Sequence, residues 1–160
     1  MKDQAKPTEP EQMSHRDILS MSGLEYMLGM LEGRIGRPPI SAGLNYRVSE
    51  VSDGRVVFTG TPLVDHTNPM GSVHGGWYGT LLDSCMGCAV MTKMPKGSYY
   101  TTLEYKVNIT RAIPLGTRVN AVGTTQHAGR TTAVARSELR GAEDGRLYAT
   151  GSTTCLIMMA

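Results

Sequence analysis

The sequence predicts a single α+β domain, and three observations carry that prediction. Apolar and polar residues alternate around Leu44, Tyr46 and Val48 ahead of a β-branched run at 55–58, the run 74–91 is apolar almost all round, and four further strand-like segments follow with only short separators. At 160 residues, the chain makes one core and leaves little room for separate catalytic and binding modules. Hydrophobic residues at 40% and charged residues at 19% exclude global disorder and a fibrous repeat.

Taken in order, residues 1–15 are rich in Lys, Glu, Gln and Pro and are expected as a disordered tail. Ile18, Met21, Leu24, Leu28 and Leu31 recur at intervals of three and four, so residues 17–31 are expected as one amphipathic helix. Gly33, Gly36 and the Pro38-Pro39 pair end it, because proline lacks the amide donor and restricts the residue before it. Residues 16–40 therefore read as a helix with a proline-rich connector, ahead of one domain over 41–160. Leu44, Tyr46 and Val48 alternate with polar neighbours, and the β-branched run 55–58 lies beyond the Asp53-Gly54 turn signal, which predicts a hairpin. Pro62, Asn68-Pro69 and Gly71 make residues 61–72 an irregular loop. The main helix is expected over about 75–91 and is closed by Pro95 and Gly97. Strands follow at about 100–111, with Leu103, Tyr105, Val107 and Ile109 on one face, and then at 118–126, 131–140 and 147–157. Their short separators favour antiparallel neighbours, so the four are expected to form a meander.

Composition excludes several classes of function. Sixteen basic against 14 acidic side chains give a net charge of +2, too small and scattered for a nucleic-acid surface. No apolar run approaches the roughly 18–20 residues that span a bilayer, and the opening MKDQAKPTEPEQ lacks the apolar stretch of a secretory signal. A cytoplasmic location with no membrane partner is expected. Cys85, Cys88 and Cys155 are odd in number and lack zinc-ligand spacing. Aromatic residues are only 6%, while Gly is 19 and Met is 11. A small aliphatic-rich domain often completes its core with a partner subunit.

The chemistry concentrates in the run HGGWYGTLLDSCMGCAVM from His74 to Met91. Gly76, Thr80, Asp83 and Gly87 fall on one narrow stripe of this helix at about 100° per residue. The single carboxylate, Asp83, thus lies among small residues on an otherwise apolar helix, where it must be hydrogen-bonded, paired or kept wet by a cleft. At the helix start, Gly75 and Gly76 bare backbone N–H groups that have no intrahelical partner, at the positive end of the helix dipole. That arrangement suits an oxyanion. Gly76 and Asp83 are seven residues apart, about 10 Å along the axis, too far for one helix to serve both ends of a single carbonyl. Two such helices packed antiparallel about a two-fold axis bring the glycines of one to Asp83 of the other, which predicts a composite site in a homodimer.

These residues resemble a known family. The stretch from His66 through Asn68, His74-Gly75-Gly76 and Asp83 to Ala89 resembles the signature of the PaaI-type acyl-CoA thioesterases of the hotdog fold, with similarity in strand order over about residues 42–158. The resemblance implies a long helix wrapped by an antiparallel sheet, a homodimer often doubled to a homotetramer, and hydrolysis of an acyl-CoA thioester to a carboxylic acid and free CoA. It places the catalytic carboxylate on Asp83 and the thioester-oxygen donors on Gly75 and Gly76. It puts a loop asparagine that positions the carbonyl or the water on Asn68, and a water-holding hydroxyl on Thr102. His74 precedes the glycines as in the family. The family's Arg-Pro near the end of the following strand is replaced here by Arg111-Ala-Ile-Pro114, so the CoA-side loop differs. Asp83 acts either as general base or as nucleophile. No cofactor is expected, CoA being part of the substrate.

Arg111, Arg118 and Arg130 flank strand ends from which they could reach CoA phosphates. Trp77, Tyr78 and the methionines around Met86 either line the acyl pocket or pack the core. A redox role for the Cys85-Met-Gly-Cys88 pair is disfavoured by its mid-helix position. Metal binding by His66, His74 and His127 is disfavoured by the lack of further ligands at suitable spacing. A hotdog hydratase is disfavoured by the lack of an aspartate-histidine pair, and the remaining alternative is a non-catalytic acyl-CoA-binding hotdog protein.

Overall fold

The structure is a computed structural model that describes residues 12–160. Its helices are α1 (His15–Leu19), α2 (Gly23–Leu31), α3 (Pro39–Gly43) and α4 (Gly75–Met91). Its strands are β1 (Tyr46–Ser52), β2 (Arg55–Gly60), β3 (Ser98–Ile109), β4 (Val119–Ala128), β5 (Thr132–Gly141) and β6 (Leu147–Met159). They form one antiparallel sheet in the order β1-β2-β4-β5-β6-β3.

The amino-terminal segment differs from the expected single helix. Most of the expected tail lies outside the described residues, but Ser14 already caps α1, its hydroxyl oxygen accepting from the Asp17 N–H. Ser22 then starts a second helix through a capping box, in which it accepts from the Glu25 N–H while the Glu25 carboxylate accepts from the Ser22 N–H at 2.7 Å. Each cap satisfies orphan amides that a continuous helix would have used, so the apolar period runs through a break. Pro39 opens α3 rather than ending structure, because its fixed φ and missing N–H suit the first helical position.

The four-strand meander is corrected as well. Only β4, β5 and β6 follow it; β3 pairs with β6, and β4 pairs with β2. The connection over residues 110–118 crosses the end of the sheet past two strands, roughly 15 Å at about 4.8 Å per strand, which its nine residues span easily.

Helix α4 lies along the sheet with Trp77, Tyr78, Leu81, Leu82, Met86 and Val90 buried. A Cβ at Gly123 of β4 would run into the Cys85 carbonyl, so this glycine lets the sheet approach the helix backbone itself. On β3 a bulge between Thr102 and Glu104 resets which residues face α4. Tyr100 and Thr102 face the helix before it, and Tyr105 and Ile109 after it. Leu103, grouped with them on alternation alone, is the bulged residue and is 58% exposed.

Candidate active site

Strand β3 lies over the face of α4 made by Gly75, Gly79, Asp83 and Gly87, one residue in every four. Ile109 sits against Gly75, the Tyr105 ring against Gly79 and the Tyr100 ring against Gly87. Gly76 and Thr80 lie beside this stripe rather than on it, and the Thr80 hydroxyl donates to the Gly76 carbonyl within the helix. The glycines admit the aromatic rings of β3, and the one position in the row with a polar side chain is Asp83.

Asp83 is half-buried, and its Oδ1 accepts a hydrogen bond from Thr102 Oγ1 at 3.1 Å. Burial pushes its carboxyl above the ordinary carboxylate range, and the Thr102 bond opposes that rise. No ion pair offsets its charge among the described residues. The next residue, Ser84, shares a 2.9 Å hydrogen bond with the Tyr46 hydroxyl, a contact that sequence reading did not anticipate.

The start of α4 is more specific than expected. His74 is the N-cap, and its Nδ1 accepts from the Gly76 N–H at 2.9 Å. The Trp77 N–H donates to the His74 carbonyl. Among the described residues the Gly75 N–H has no partner, so of the two glycine amides this one is open to a ligand. Gly76 is therefore corrected as an open donor, and His74 is a capping residue in this conformation. Asn68 shapes the preceding loop: its Oδ1 accepts from the N–H groups of Met70 at 2.9 Å and Ser72 at 3.2 Å. Only its side-chain NH2 is left to point at a ligand.

Other residues fall elsewhere. Trp77 is 2% exposed and donates its indole N–H to the Leu44 carbonyl. It belongs to the core and not to a substrate wall. Tyr78 is equally buried, its hydroxyl accepting from the Ile113 N–H. Arg111 and Arg118 are exposed at the end of the sheet nearest the start of α4. Arg130 lies in the β4–β5 turn at the opposite end, about 25 Å away over the length of α4, so it does not join Arg111 within one chain. His66 is 7% exposed, stacks on Trp77, accepts at Nδ1 from the Leu63 N–H and meets the Gly43 carbonyl through Nε2. Among the described residues no group of His, Cys, Asp or Glu is arranged to hold a metal ion. Burial and the Asp83 charge push the Cys88 thiol up to about 12, and burial raises Cys85 as well, the opposite of a reactive thiol.

The profile of the thioesterase superfamily matches residues 70–148. A hypothetical thioesterase from Streptococcus pneumoniae, solved with coenzyme A, is 30% identical over 75% of this chain and 91% of its own, with a TM-score of 0.67. The chain belongs to the thioesterase superfamily. Further solved members of the superfamily agree. A mutant of the phenylacetic acid degradation protein PaaI from Thermus thermophilus is 28% identical over 74% of this chain and 98% of its own, with a TM-score of 0.68. A thioesterase family protein from Silicibacter pomeroyi is 26% identical over 84% and 99%, with a TM-score of 0.75. No curated protein matches the sequence. The fold is the hotdog of these PaaI-like thioesterases, a long helix wrapped by an antiparallel sheet. No helix among the described residues is long and apolar enough to cross a membrane.

Proposed function

We propose that this thioesterase hydrolyses acyl-CoA thioesters to a carboxylic acid and free CoA at a site shared by two subunits. The observation that carries the reading is the pairing, on one helix, of an open Gly75 N–H at the positive end with a half-buried Asp83 carboxylate that has no ion-pair partner among the described residues. Eight residues separate them, about 12 Å along the axis, so one chain does not offer both to one carbonyl. A two-fold partner, its α4 running antiparallel, supplies the missing half. The long outer edge of β3 supports such pairing, with Tyr105 47% and Ile109 49% exposed beside α4 and no strand beyond it among the described residues.

In this reading the thioester oxygen sits at the Gly75 N–H of one subunit, where the amide and the helix dipole stabilise the developing oxyanion. Asp83 of the other subunit, in its carboxylate form, takes a proton from a water held between its carboxylate and Thr102 Oγ1. The water oxygen attacks the carbonyl carbon, and collapse of the tetrahedral intermediate expels the CoA thiolate. A nucleophilic route, with an anhydride formed on Asp83 and then hydrolysed, uses the same atoms. The Asn68 NH2 orients the carbonyl or the water. His74 keeps Gly76 capped and so holds the helix start in shape, and the exposed Arg111 side chain meets a CoA phosphate in this reading. The CoA-bound pneumococcal relative supports a CoA substrate. Three free thiols suit the reducing cytoplasm.

Thiol release from a panel of short, medium, long and aromatic acyl-CoAs, repeated with Asp83→Asn, tests the reading. Turnover of at least one thioester that falls by about 10²–10⁴-fold in the variant is expected. Undiminished turnover in Asp83→Asn contradicts the assignment, and acyl-CoA binding without any release favours a binding protein.

A further inference from the structure

The amino-terminal segment is bound to the hotdog by specific contacts. The Gly23 N–H donates to the Met94 carbonyl at 2.9 Å, and the absence of a side chain at Gly23 lets α2 sit directly on the Met91 carbonyl. The Gly97 N–H donates to the Leu19 carbonyl, and the His15 ring meets the Tyr99 ring edge-on with centroids 5.1 Å apart. Between this segment and the hotdog lies a cavity of about 300 Å³. One wall is Ile18, Tyr26, Met27, Met30 and Ile40 from the amino-terminal helices. The facing wall includes Ser84, Cys88 and Met91 of α4 and Tyr100 of β3.

The cavity wall includes close neighbours of the proposed catalytic carboxylate, though not Asp83 itself. Ser84 follows Asp83 in α4, Tyr100 lies two residues before the Thr102 that bonds Asp83, and the Asp83 charge is felt at Cys88, Tyr46 and Tyr100. The walls are chiefly aliphatic, thioether and aromatic, with His15, Ser41 and Ser84 as polar members, which suits a hydrocarbon chain. Methionine is flexible and polarizable, and so adapts to a chain that enters end-on. At roughly 30 Å³ for each water-sized group, the space takes on the order of ten non-hydrogen atoms.

We propose that residues 15–43 close the acyl pocket of this thioesterase and set the acyl length it accepts, with Met27 and Met30 as the floor. This rests on the acyl-CoA reading above. The substrate class is then a medium-chain acyl-CoA of about six to ten carbons, the length whose non-hydrogen atoms fill the cavity. Longer chains meet the buried side chains of α2.

The test measures kcat/KM for straight-chain acyl-CoAs from acetyl to palmitoyl, together with calorimetric binding of the matching S-alkyl-CoA thioethers, which cannot be hydrolysed. It uses the wild type, Met30→Ala and Ile18→Trp, with thermal melts to show that each is folded. Met30→Ala deepens the floor and is expected to raise the ratio of dodecanoyl to hexanoyl turnover by about tenfold. Ile18→Trp fills the cavity and is expected to shift the optimum to shorter chains. Thioether affinities follow the same order. Hydrolysis whose length profile neither variant moves overturns the proposal and leaves the acyl-CoA reading standing. Where no thioester is hydrolysed that reading fails, and the thioethers still decide the pocket: a length optimum moved by the variants supports it, and an unmoved one overturns it.

Discussion

Asp83, the carboxylate to which catalysis is assigned in the proposal, is held half-buried at a cost in stability. Its carboxyl binds a proton more tightly in the folded chain than in the unfolded one, so this group makes the fold less stable as pH rises through the raised value. Asp83→Asn removes a half-buried charge, so at neutral pH it is expected to melt no lower than the wild type while losing turnover. The Thr102 hydroxyl opposes the rise. Thr102→Val is therefore expected to move the acid limb of the kcat/KM profile to higher pH, because the base acts only when deprotonated. A pH–rate profile checks this; an unmoved or lowered limb contradicts it. Asp83 was legible in the sequence because a lone carboxylate on an apolar helix has few structural excuses. Trp77 was not, since nothing in its spacing tells a core indole bonded to Leu44 from a substrate wall. The Ser84–Tyr46 bond joins residues 38 apart, a distance that local patterns do not carry.

At the level of elements, α4 was readable almost to the residue, from its all-round apolar run and the Pro95 and Gly97 beyond it. Its start needed the structure, because only the His74 bond distinguishes the capped Gly76 amide from the open Gly75 amide. Gly75 is the first helical residue, and His74 before it is extended, with φ −63° and ψ 138°. Both conditions favour proline. Gly75→Pro deletes the open N–H with little harm to the helix, so its melting temperature is expected to stay near that of the wild type while kcat falls about 10²–10³-fold. Unchanged kcat in a folded Gly75→Pro protein places the oxyanion elsewhere. The break between α1 and α2 was present in the sequence as Ser22-Gly-Leu-Glu25, a capping box that the apolar period running through it concealed. The bulge at Leu103 left no such mark, because alternation alone gives no sign of an extra residue.

For the whole molecule, the α+β class and the strand positions followed from local periodicity, whereas the strand order did not. Short separators argue for neighbours, but β3 leaves α4 on the far side of the sheet and reaches β4 only by crossing its end. That order leaves β3 as a twelve-residue edge lying over the Gly75-to-Asp83 face of α4. The central claim is that this edge joins two chains and that each active site takes its oxyanion donor from one and its carboxylate from the other. Subunit mixing tests it directly. Asp83→Asn and Gly75→Pro proteins, each nearly inactive alone, are unfolded together in equal amounts and refolded. With a shared site, half of the random dimers are mixed and each mixed dimer holds one intact site, so about a quarter of wild-type thioesterase activity is expected to return. Activity no greater than the sum of the two variants, in a preparation shown to contain mixed dimers, would contradict the account.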